Sequence, residues 1–254
     1  MYGRLSFAIG LLAAGACTPP GRTAPAAAEY SPTFAFAPPA SAAPGSAGVT
    51  FAIVNASYSS REAWTQTPLF GSFSAHLSSD FQQVLSARGF TTRGPYRSYD
   101  EMTYPDRQST DLTLQPILEV TFAAGNLTAH SKFQLIGPNT CRLSGTLTVA
   151  GRVTLAINES LSNERMWFRS IDIARPPVPW EGTLEYAEVQ RGSCPMEDPL
   201  SDPGFKNVLA RELEQTYRQV MQASWNYMDP GEMSVVKRQS LDVRGRWVAT
   251  SRPH

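Results

Sequence analysis

The chain has 254 residues, 22 Lys+Arg against 22 Asp+Glu, and a hydrophobic content of 42%. Zero formal charge removes the positive surplus that displacing counterions from nucleic acid requires, so nucleic acid is excluded as a partner. No apolar run reaches the ~20 residues of a bilayer span, and the length suits one domain plus a tail.

The first residues set the compartment. Arg4, a mostly apolar stretch from Leu5 to Ala14 and the small residues Gly15 and Ala16 form an export signal over residues 1–16. Cys17 follows directly, as in a bacterial lipoprotein signal, and residues Ala14-Gly15-Ala16-Cys17 resemble a lipobox whose third position before Cys is usually Leu. That resemblance implies cleavage before Cys17 and acylation of its thiol and amine, palmitate included. At ~0.8 kcal/mol per buried methylene, several acyl chains make a stable membrane anchor. An ordinary signal cleaved near Ala16 is the alternative. Thr18, in place of Asp, points by the same sorting rules to the outer membrane, with its periplasmic and surface faces left open.

Cys141 and Cys194 remain as an even pair in an oxidising compartment and predict a disulfide; two separate thiols are the alternative. No metal site is expected, because His76, His130 and His254 share no ligand spacing with the cysteines.

Residues 17–47 hold seven prolines and two charges, Arg22 and Glu29. Such a segment predicts a loose, partly extended tether, although Tyr30, Phe34 and Phe36 suit docking on the domain or a partner as well. Val49–Val54 is a short apolar run for a buried strand. Thr67-Pro68 opens a helix with Thr67 as N-cap, and Phe70, Phe73, Leu77, Phe81, Val84 and Leu85 form its buried stripe. Gly89 closes it in the left-handed region, with Phe90 folding back on Leu85.

Leu112–Phe122 alternates as a half-buried strand, with Pro116 expected at an edge or bulge. Residues 141–157 alternate at greater length, Gly145 and Gly151 marking bends. A turn at Ser160–Asn163 leads into Met166–Ile173, and a further strand is expected at Thr183–Val189. Asp202-Pro203 caps a helix carrying Phe205, Leu209, Leu213, Val220, Met221 and Met228. Asp229-Pro-Gly-Glu232 reads as a capping box opening a last helix that ends near Gly245. The order gives an α+β fold: a mixed, mostly antiparallel sheet with helices packed on one face. The domain spans 48–246, followed by a tail at 247–254.

Signatures of catalysis are missing. The chain has no Gly-x-Ser-x-Gly, no Walker loop, no His-Glu-x-x-His and no Gly-x-Gly-x-x-Gly after a strand. The acid pairs Asp100/Glu101 and Glu185/Glu188 read as surface charge. No enzyme activity and no cofactor are therefore expected.

One segment stands apart. Residues 87–107 mix Tyr96, Tyr99 and Tyr104 with arginines and acids in a stretch punctuated by Gly and Pro. Aromatic faces stack on sugar rings, and planar charged groups bond sugar hydroxyls, which makes Tyr96, Arg97, Tyr99, Asp100 and Tyr104 candidate ligand-binding residues. A purely structural role, aromatics packing a loop and aspartates capping turns, explains the same residues.

The stretch Arg88-Gly89-Phe90, Gly94-Pro95-Tyr96, residues 99–106 and 111–116 resembles the neuraminyllactose-binding haemagglutinin family of bacterial surface lipoproteins. A second match lies in Leu147–Leu155, Glu159–Ser162 and Met166–Asp172. The resemblance implies a lipid-anchored envelope protein with an α+β domain, named for binding sialylated glycans. The family's Lys/Arg-rich sialic-acid segment has no clear counterpart; Lys237-Arg238-Gln239 is nearest and falls within a helix. Two function classes follow: a non-enzymatic outer-membrane adhesin or glycan-binding lipoprotein, and an assembly component of the envelope that binds other proteins.

Overall fold

The computed structural model describes residues 29–132, 139–186 and 199–250. Strand β1 (Thr50–Val54) is followed by a two-residue β2 (Ser57–Tyr58), helix α1 (Pro68–Ala87) and β3 (Thr91–Tyr96). A short α2 (Tyr104–Gln108) precedes the long hairpin β4 (Leu112–Lys132) and β5 (Asn139–Glu159). Then come β6 (Arg165–Ala174), β7 (Val178–Tyr186), α3 (Pro203–Tyr227) and α4 (Pro230–Thr250).

Among the described residues the strands form one sheet in the order β3-β1-β4-β5-β6, with β2 on β4 and β7 on β5. β1 is parallel to β3 and β4, while β4, β5, β6 and β7 pair antiparallel. The expected fold class, helices against a mostly antiparallel sheet, is the one observed. Phe51, Ile53, Leu112, Leu114, Leu155 and Ile157 point to one face, are fully buried, and share a core with Phe73 and Phe81 of α1 and Leu213 and Tyr217 of α3. On the same face α4 meets the sheet where Trp167 Nε1 donates to Glu232 Oε1 at 2.7 Å. All three long helices thus cover one side.

Connections explain what covers the other. β1 to β3 moves one way across the sheet through α1, and β3 to β4 moves back past β1. Parallel crossovers are right-handed, so opposite steps put their connections on opposite faces. Residues 97–111 must therefore cross the helix-free face. Ala52, Thr113 and Ala156 face that way, yet each is no more than 1% exposed, and Met102 of the crossover is itself 2% exposed.

Several boundaries differ from expectation. β3 and α2 form where the sequence leads one to expect a loop; β3 has no apolar alternation because it is an edge strand with an exposed run. β4 continues ten residues past Phe122, to Lys132, through exposed polar and small residues that burial patterning does not mark. β7 starts at Val178, and the expected end at Val189 lies outside the described residues. α4 runs beyond Gly245 into the expected tail, to Thr250. Pro116, whose ring removes a donor, sits in the gap between the β1 pairing, which ends at Leu114, and the β2 pairing, which starts at Ile117.

Cap chemistry also differs in part. Thr67 occupies the N-cap of α1, but its hydroxyl donates back to Trp64 O at 2.8 Å instead of capping. Asp229 accepts from Glu232 N at 2.9 Å, whereas the Glu232 carboxylate is taken by Trp167 and Arg169. Asp202 caps α3 as expected, accepting from Phe205 N. Gly89 closes α1 at φ +85°, and Phe90 N donates to Leu85 O at 3.0 Å.

The 29–47 part of the expected tether lies on the helices, so docking of its aromatics is the reading the structure shows. Phe34 is 4% exposed, edge-on to Phe73 and tilted on Tyr217. Tyr30 Oη donates to Glu214 Oε2 at 2.5 Å and Phe36 N to Asp80 Oδ2 at 2.8 Å. This strap joins α1 to α3.

Candidate functional site

The sheet-crossing segment carries four of the five candidate ligand-binding residues, with Tyr96 closing β3 just before it, and the structure sorts them by their surroundings. Tyr99 is structural. Its hydroxyl donates to the carbonyls of Ser160 at 2.9 Å and Leu161 at 3.1 Å, tying the crossover to the β5–β6 turn. The Arg107 guanidinium covers the ring at 4.1 Å and also donates to Tyr99 O. Burial pushes the Tyr99 hydroxyl above the ordinary tyrosine range.

Tyr96 and Tyr104 flank a small polar cluster. Thr103 and Asp106 form a capping box at α2: Asp106 N donates to Thr103 Oγ1, and Thr103 N and Oγ1 donate to Asp106 Oδ2. This box, missed in the sequence, has the spacing Thr103-x-x-Asp106 that marks a helix start. The Thr103 hydroxyl bond, more than Arg93 at 3.8 Å, holds the Asp106 carboxyl below its usual range. Tyr96 is half-buried, and desolvation, then Asp106, raises its hydroxyl. Tyr104, in the first turn of α2, is 57% exposed. Arg97 and Asp100 are also exposed, and Arg97 N is held by Glu101 Oε2 at 3.1 Å.

The candidates therefore split. Tyr99 fixes the crossover, while the Tyr104, Arg97 and Asp100 side chains are exposed and Tyr96 is half-buried. On the same sheet face Phe168 of β6, paired with Ala156, is 58% exposed. Its parity in β6 is that of the exposed Ser170 and Asp172, opposite to the buried Trp167, Ile171 and Ile173.

Elsewhere, a cleft of about 670 Å3 lies between the strap and the first turns of α1 and α3, lined by Pro32, Pro68, Leu69, Phe70, Leu200 and Leu209 among others. Its charged lining residues, Glu29 and Lys206, are both exposed. His76 is exposed, its Nδ1 against Ser72 O, and His130 lies exposed on β4. Among the described residues no three His, Cys, Asp or Glu side chains gather as a metal site. No helix among them is long and apolar enough to cross a membrane. Cys141 is buried at 1% in β5, while Cys17 and Cys194 lie outside the described residues. Lys237 is spent within the fold, on Asp111 Oδ2 at 2.9 Å and Gly48 O at 2.8 Å.

No protein-family model and no curated protein matches the chain. Its fold is similar to a solved neuraminyllactose-binding hemagglutinin homolog from Helicobacter pylori, with TM-score 0.56 and 10% identity over 84% of this chain and 100% of that one. A lipoprotein from Neisseria meningitidis gives TM-score 0.26 and 10% identity over 56% and 88% of the two chains. A Xanthomonas campestris protein gives 0.36 and 11% over 80% and 96%. The last two are too dissimilar to argue from. At such identity the first establishes a distant relationship of fold.

Proposed function

We propose that this chain is a non-enzymatic, lipid-anchored outer-membrane protein that binds glycans with the outward side of its sheet crossover. The observation that carries the reading is the division of labour among the tyrosines. Tyr99 and Met102 fix the segment, so Tyr104, Arg97 and Asp100 stand on a pre-ordered support, and preorganisation lowers the cost of binding. An exposed ring stacks on a sugar face; a guanidinium and a carboxylate bond its hydroxyls or, for a sialylated glycan, Arg97 faces the sugar carboxylate. The hemagglutinin homolog of similar fold is named for such a ligand. Lipidation at Cys17 holds the domain at the membrane, and Cys194 closes a disulfide with Cys141.

A glycan array tests this directly. Wild-type protein should bind a subset of sugars, with Tyr104→Ala and Arg97→Ala each reducing binding about tenfold or more while the melting temperature holds. Binding unchanged in both variants would reject the crossover as the contact surface.

A second reading, an envelope component that binds proteins, is favoured by one observation. The edge of β4 beyond β2 has no strand partner among the described residues.

A further inference from the structure

The strap runs antiparallel to α1. Ala42 N donates to Ala87 O, Phe36 N donates to Asp80 Oδ2, and Phe34 packs on Phe73. Residues 29–32 then line the cleft together with residues 67–70. Followed toward the N-terminus, the chain is thus led back along the helix to its first turn. There it is pinned. Tyr30 N donates to Asn207 Oδ1 at 2.7 Å, its hydroxyl donates to Glu214, and Thr33 N donates to Glu214 Oε2 at 3.2 Å. These bonds hold Glu29 beside the cleft it lines.

The cleft is lined mostly by apolar groups. Phe70, Leu209 and Ala210 are buried, while Pro32, Leu69 and Leu200 are half-buried and keep apolar surface in water. Its charged lining residues, Glu29 and Lys206, are opposite in sign and both exposed. Such a lining calls for no charged head group and leaves the polar end of an amphiphile in solvent. The volume of about 670 Å3 falls within the roughly 300–1,000 Å3 of ligand cavities and suits one hydrocarbon chain.

We propose that this cleft takes one of the acyl chains carried by Cys17, so that the protein shelters part of its own anchor when no bilayer is present. The inference rests on lipidation at Cys17, part of the reading above, and gives that lipid a second place to lie. Cys17 is 12 positions before Glu29, a reach of at most ~40 Å. A group tethered that closely acts at an effective concentration on the order of millimolar. Each methylene laid against Leu69 and Leu200 removes apolar surface from water on both partners. A bilayer offers hydrocarbon to every acyl chain at once, so arrival at a membrane empties the cleft.

The test is photo-crosslinking in the full-length lipidated protein, diluted and freed of detergent. p-Benzoylphenylalanine is placed in turn at Ser72 and Leu200, which line the cleft, and at exposed Phe168 on the other sheet face as control. Mass spectrometry of tryptic fragments reads both the lipid on Cys17–Arg22 and its crosslink. The two cleft positions should capture the lipidated fragment within a product of monomer size, and Phe168 should not. Adding phospholipid vesicles should cut that capture about tenfold or more. Leu69→Glu puts a carboxylate in the cleft at a helix position that favours it, so it should cut capture about tenfold while the fold stands. Lipidated Cys17–Arg22 without a crosslink at either cleft position, or crosslinked as often at Phe168, would overturn the sheltering and leave the anchor standing. Capture unchanged by both vesicles and Leu69→Glu would overturn it as well. An unlipidated Cys17–Arg22 fragment would bring down the anchor and this inference together.

Discussion

Arg244 of α4 and Glu159 at the end of β5 form an ion pair in which Nε and Nη2 lie 2.7 and 2.6 Å from Oε1, and Glu159 is fully buried. Glu159 also accepts from Leu161 N at 3.0 Å and Ser162 N at 2.6 Å, shaping the turn that Tyr99 grips. Arg244 donates further to Gln108 O and Thr110 O at the end of the crossover. One pair therefore locks the last helix, the β5–β6 turn and the candidate surface together.

Removing one partner of a buried pair leaves an unmatched charge, at a cost of about 3–5 kcal/mol. Arg244→Met should lower stability by about 3 kcal/mol, the two backbone donors still supporting Glu159. Denaturant unfolding checks this. Arg244→Met/Glu159→Gln should recover part of the loss; an Arg244→Met variant as stable as wild type would contradict the lock.

Tyr99 and Tyr104 should separate stability from recognition. Tyr99→Phe keeps the ring under Arg107 but loses both hydroxyl bonds, costing about 1 kcal/mol. Tyr104→Ala is a surface change and should stay within about 0.5 kcal/mol. Equal losses in the two variants, read by thermal unfolding, would erase the distinction.

The strap should loosen in acid. The Tyr30 hydroxyl, with Thr33 N and Arg218, holds the Glu214 carboxyl below its ordinary value. A lowered folded pKa means the unfolded form binds protons more readily. The stabilisation is thus complete above about pH 4.3, the unfolded Glu value, and is lost as pH falls through the folded value. Protection from amide exchange at residues 30–36, taken relative to the intrinsic rate at each pH, should fall selectively below that range, and Glu214→Gln should blunt the pH dependence. Protection that does not change with pH would count against it.

Mass mapping of non-reduced peptides should find Cys141 joined to Cys194. Recovery of both as alkylated thiols would contradict the pairing.

Alternating strands and amphipathic helices were legible because burial leaves a period: Leu112 to Val120, Phe70 to Leu85, and Phe205 to Met221 all face the core as their spacing demands. Edge strand β3 and the outer half of β4 were not, because exposure on both faces leaves none. The tyrosine segment drew attention by composition, but composition does not tell Tyr99, aimed at two carbonyls, from Tyr104, aimed at solvent. That difference follows from topology, which sends residues 97–111 across the sheet. Glu159–Arg244 and Glu214–Tyr30 join residues too far apart in sequence for spacing to reveal.

A recognition surface of this kind acts only where the chain is held at the envelope, so fatty-acid labelling of cells producing wild-type and Cys17→Ser protein is the decisive measurement. Label on the wild type in the outer-membrane fraction, with the variant unlabelled and released in soluble form, is the predicted result. Equal fractionation of the two proteins, with no label on either, would contradict the anchored account.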